Sequence, residues 1–168
     1  MRNLYLISVW IHVLAAATWI GSMVFLAAVL VPTLRRRGDR ALTAELMYGA
    51  GRKLRVVGWT SFALLLVTGT VSLAYRDYGW EDLAGRLWQG GFGLAFACKM
   101  TLFGLVLLLS ALHDFWLGPL AGRVAREGTE AEAAERLRQL ASWMGRLNLL
   151  LALGIVLFAV FMVRGWPG

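Results

Sequence analysis

Residues 4–34 read LYLISVWIHVLAAATWIGSMVFLAAVLVPTL, and no Asp, Glu, Lys or Arg interrupts them. A helix needs roughly 20 such residues to cross about 30 Å of hydrocarbon at about 1.5 Å per residue. Inside a bilayer the peptide groups must bond to one another, so the run predicts a membrane-spanning helix. It is too long for a signal peptide and meets no A-x-A site ahead of a polar region. Three further runs follow: Val56 to Tyr75, Leu87 to His113 with Lys99 as its one charge, and Leu147 to Val163. The predicted spans are about 4–31, 56–75, 91–118 and 146–163, in one 168-residue transmembrane domain.

Composition agrees. Apolar residues make up 59% and charged residues 16%, against about 45–50% and about 25% in soluble domains. Mean hydropathy is +0.65. These values exclude a disordered chain and almost any soluble enzyme. The single cysteine, Cys98, excludes an internal disulfide and a cysteine-rich zinc site. Walker, Rossmann and HExxH motifs are absent.

The net charge of +7 is unevenly placed. Arg35, Arg36, Arg37, Arg40, Arg52, Lys53 and Arg55 follow the first span, and Arg123, Arg126, Arg136, Arg138 and Arg146 follow the third. The opposite side carries only Arg2, Arg76, Arg86 and Arg164. The positive-inside rule puts both basic segments in the cytoplasm and both termini outside. The expected setting is a bacterial cytoplasmic (inner) membrane. The lipid bilayer is the first partner, anionic headgroups lie against the basic loops, and nucleic acid is not a partner.

The expected fold is all-α: a polytopic four-helix membrane bundle, with helices 2 and 4 extended into the cytoplasm. Thr129 and Glu132 fit a capping box at the start of the last helix. Pro32 and Pro119 are expected to stop the first and third helices. Val31-Pro32-Thr33-Leu34-Arg35 matches Gly118-Pro119-Leu120 with Arg123 following, which suggests two hairpin repeats. In that alignment His12 and Lys99 are equivalent. Small residues on the helix faces are compatible with a homodimer.

Ionisable residues within spans are costly and are default functional candidates. His12 lies about 12 Å inside the outer end of the first helix, and Lys99 at similar depth in the third. At that depth the two can meet. His113 lies roughly 21 Å deeper than Lys99, so His12 and His113 cannot both ligate one haem. His113 and Asp114 form a candidate second site near the cytoplasmic face. Tyr5, Ser8, His12, Ala16, Trp19 and Met23 share one helical stripe, and Ala15, Ala16, Ala17 and Gly21 keep that helix thin. Phe92, Ala95, Lys99, Phe103, Val106, Ser110 and His113 share another, and Thr68 and Thr70 can add hydroxyls. The plainer alternatives are a neutral His12 bonded to a serine or carbonyl, a snorkelling Lys99 and a helix-end His113–Asp114 pair. Trp80, Trp88 and Trp166 suit an outer interfacial belt.

His12-x6-Trp19-x-Gly21 running to Leu30-Val31-Pro32 resembles the first span of CopD-type copper resistance membrane domains. Gly93, Lys99 and Ala111-Leu112-His113-Asp114 resemble that family's glycine–lysine span, and Arg55 with Leu66-Val67-Thr68-Gly69 fits its second. The arrangement is also similar to HemJ-type protoporphyrinogen oxidases. The first resemblance implies copper homeostasis, with His12 as a copper ligand, Met23 as a second, Lys99 setting the pocket's charge, and a periplasmic copper carrier as partner. The second implies haem b and a redox partner, with His12 as a single ligand or a pocket donor and Lys99 or Arg86 on the propionates; Ser8 and Trp19, from the His12 stripe, are the candidate cofactor contacts. A non-catalytic assembly subunit is the third alternative.

Overall fold

The first and third apolar runs each pair with the basic helix that follows them. In the computed structural model, residues 2–37, 40–127 and 131–166 are described. All regular elements among them are helical. Four helical stretches are long and apolar enough to cross a membrane: Arg2–Leu34, Glu45–Ala74, Gly90–Ala121 and Glu135–Arg164. The protein is a multi-pass membrane protein. The chain divides into two units, Met1–Ala84 and Gly85–Gly168.

In the first unit α1 (Arg2–Phe25) passes through a π-helical turn, Leu26–Leu30, into α2 (Val31–Arg37). The long α3 (Arg40–Ala74) runs back along α1. The contact is read along the stripe seen in the sequence. Tyr5 stacks on Tyr75 with centroids 3.9 Å apart, and Trp19 meets the Phe62 ring edge-on at 5.0 Å. Ser8, Ala15 and Trp19 are buried on α1, and Ser61, Phe62 and Thr68 on α3. The Thr43 hydroxyl near the start of α3 donates to the carbonyl of buried Leu34 on α2 at 3.4 Å.

The first unit ends in a short 3-10 turn, Trp80–Ala84; the second opens with another, Arg86–Trp88, and continues into α4 (Gly90–Ala111). A π-helical stretch, Leu112–Leu117, leads into α5 (Gly118–Glu127). The long α6 (Ala131–Arg164) then packs along α4. Ala95, Phe103, Val106 and Ala152 are buried, and Asn148 donates to the Ser110 hydroxyl at 3.2 Å. The capping residue expected for this helix, Thr129, lies outside the described residues.

The prolines do not stop their helices, contrary to the expectation for Pro32 and Pro119. Proline lacks the N–H needed inside a helix and crowds the carbonyl four residues back. Here each follows a π-turn, in which the N–H of Val31 reaches Leu26 O and that of Gly118 reaches His113 O. The proline is then second in a new helix, where its N–H is not required. The helix runs on to Arg37 in one unit and Glu127 in the other.

Gly21 does not mark a close helix contact either, since a Cβ there would meet nothing within 4 Å. Gly93 does: a Cβ would overlap the Trp88 backbone, which folds back over the start of α4. Large apolar side chains such as Leu4, Trp10, Val67, Leu150 and Val163 are exposed, as lipid-facing residues are.

Gly93→Ala should therefore lower the thermal midpoint in detergent by about 5 °C or more, since overpacking costs roughly 1–3 kcal/mol. Gly21→Ala should leave that midpoint unchanged or slightly higher. Differential scanning fluorimetry of the two variants checks the contrast.

Candidate functional site

His12 is half-buried on α1, one turn from Ser8 and facing α3. Its Nδ1 lies 2.7 Å from Thr68 Oγ1. The Thr68 hydroxyl is 2.5 Å from the Leu64 carbonyl, which only accepts. Thr68 thus gives its one proton to Leu64 and accepts from His12 Nδ1–H. That order of donation places a proton on Nδ1 of His12. Ser8 Oγ donates to the Thr68 carbonyl at 3.4 Å and Ser72 Oγ to the same carbonyl at 2.9 Å. Ser8 and Thr68 are both buried.

Position 69 is glycine, and a Cβ there would lie 3.8 Å from His12 Cε1. An apolar groove of about 380 Å³ opens on the same helix pair, between Ile11, Ala15 and Thr18 on α1 and Val57, Ser61 and Leu64 on α3. It shares Leu64 with the hydrogen-bond chain.

Trp19 packs on Phe62, about 10 Å along α1 from His12, and is a core residue there. Met23 is 11 residues beyond His12 on the unbroken α1, about 16 Å away. At that rise the two side chains do not converge on one ion. Lys99 is half-buried on α4, and Arg86 is exposed in a 3-10 turn. His12, Ser8 and Thr68 belong to the first unit; Arg86, Lys99, His113 and Asp114 belong to the second.

His113 and Asp114 sit in the π-helical stretch of the second unit, where His113 Nδ1 donates to Asp114 Oδ1 at 3.0 Å. π-Turns frequently accompany functional sites. Among the described residues no group of three or more His, Cys, Asp or Glu side chains could hold a metal ion.

Two polar partners emerge only from packing. Thr68 stands out in the sequence as a hydroxyl in a span, but nothing there assigns it to His12, 56 residues away. Asn148 is visible as the one amide in the fourth apolar run, and its partner Ser110 is 38 residues distant.

A family model described as "Domain of unknown function (DUF4149)" matches residues 14–130, more than half of the chain. The chain belongs to this family. The DUF4149 match includes Thr68, Lys99, His113 and Asp114 and begins two residues after His12. An uncharacterized protein of Aquifex aeolicus (strain VF5) is 31% identical over 167 residues, covering 99% of this chain and 98% of its own. No solved structure matches.

Thr68→Val removes the acceptor for Nδ1–H while keeping the shape of the side chain. It should cost about 1 kcal/mol of stability and release the tautomer preference. Thr68→Ser should retain both. Nitrogen-15 chemical shifts of the His12 ring read the tautomer, and denaturation in mixed micelles reads the stability.

Proposed function

We propose that this is an integral protein of the bacterial cytoplasmic membrane that uses His12 to ligate a metal centre, and that haem b fits its donor set best. The observation that carries the reading is the His12–Thr68–Leu64 hydrogen-bond chain. An imidazole that ligates through Nε2 needs its proton on Nδ1 and an acceptor to hold the ring in place. Thr68 is that acceptor, in a part of the chain where an ionisable side chain is costly without a role.

The donor set discriminates between the two metals. Haem iron accepts a single protein imidazole as its axial ligand. Copper(I) favours thiolate, thioether and imidazole together, and Met23 is too far along α1 to join His12 on one ion. The apolar groove on the same helix pair does not include His12 in its lining, so the reading rests on the hydrogen-bond chain and not on the groove. Bound haem would supply one-electron redox chemistry. The chain's own residues would do the rest: His12 Nε2 would ligate, Thr68 would hold the proton on Nδ1, and Ser8 donates to the Thr68 carbonyl.

The N-out, C-out topology belongs to the same proposal. It is supported by the twelve basic residues that follow the first and third spans against four on the other side. The repeat reading is supported by the shared order of long helix, π-turn, proline and long basic helix in both units.

The test is an absorbance spectrum of the detergent-purified protein before and after dithionite. A Soret band that sharpens on reduction is expected, and His12→Ala should abolish it while gel filtration shows the variant still folded. A colourless protein, or a band retained in His12→Ala, overturns the haem reading. Copper that copurifies and is lost in His12→Ala would replace haem with copper.

A further inference from the structure

Both units carry basic residues beyond their apolar spans, but the two sets are held differently. From Arg35 to Arg55 there are seven basic residues against two acidic ones, Asp39 and Glu45. From Arg123 to Arg146 there are five against four. On α6 the charges are met locally. Arg136 pairs with Glu132 at 2.6 Å, Arg138 pairs with Glu135, and Arg146 lies over the Trp143 ring at 5.1 Å.

Arg52 and Lys53 on α3 are different. Both are exposed, and neither has a carboxylate within ion-pair distance among the described residues. Glu45 is about two turns away on the same helix and does not reach them.

Their depth is set by the helix. The Tyr5–Tyr75 stack at the far end of the unit has the character of an interfacial aromatic pair. Arg52 and Lys53 are 23 and 22 residues from Tyr75, along a helix unbroken from Arg40 to Ala74. That distance is about 33–35 Å. The hydrocarbon is about 30 Å thick, and about 40–45 Å with its headgroups. With the tyrosine pair at one interface, the two cations fall in the opposite headgroup layer.

We propose that Arg52 and Lys53 form a binding site for an anionic phospholipid headgroup, and that the ion-paired arginines of α6 do not. The chemistry recognised is a phosphate. The depth of the pair assigns it to lipid rather than to a soluble anion. The proposal does not depend on which metal His12 holds.

Native mass spectrometry of the full-length protein in detergent tests it, with phosphatidylglycerol and phosphatidylcholine offered together. The wild type should prefer phosphatidylglycerol. Each basic residue beside anionic lipid is worth roughly a fivefold preference, so R52Q/K53Q should reduce it about 25-fold. R136Q/R138Q removes the same formal charge and should change the preference less than about twofold, because those arginines are already paired. Gel filtration confirms that both variants fold. An unchanged preference in R52Q/K53Q, or an equal loss in both variants, overturns the proposal. Displacement of phosphatidylglycerol by millimolar inorganic phosphate would assign the site to a soluble anion and overturn it as well.

Discussion

Every peptide group within the hydrocarbon has to find its hydrogen-bond partner inside the protein, because no water is available there. The helices satisfy nearly all of them locally, and where proline removes a donor the chain adjusts by one residue. The π-turns before Pro32 and Pro119 let each proline enter as the second residue of a new helix. Hydroxyls follow the same rule: Thr68, Thr70 and Ser72 donate to carbonyls four residues back, and Ser22 to one three residues back.

His12 is met from the facing helix, by Thr68. Because the threonine has already given its proton to Leu64, the contact has a direction. It holds Nδ1 protonated. The ligand role proposed for His12 needs the proton on that nitrogen.

The charged ends obey a second constraint, the sharp change from hydrocarbon to headgroup. Arginines on α6 are interleaved with glutamates at three- and four-residue spacing, so the helix neutralises itself. Arg52 and Lys53 on α3 have no acidic residue at that spacing, and both are exposed. Two segments that look alike by basic-residue count thus differ in what they can attract.

Span number, helical class and the basic bias were legible from residues 4–34 and the three later runs, because hydrophobic length and charge placement are local properties. The α1 stripe of Tyr5, Ser8, His12 and Trp19 was legible for the same reason, as 3.6-residue periodicity needs no partner to be seen. So was the polarity of His12 and Lys99 against apolar surroundings. Three things were decided only by tertiary structure. The prolines continue their helices, since a π-turn depends on backbone bonding that composition does not encode. Gly93 rather than Gly21 is the close-packed glycine, because only the fold brings the Trp88 backbone over it. Thr68 is the partner that sets the His12 tautomer, because a hydrogen bond between residues 56 apart exists only once two antiparallel helices have chosen their register.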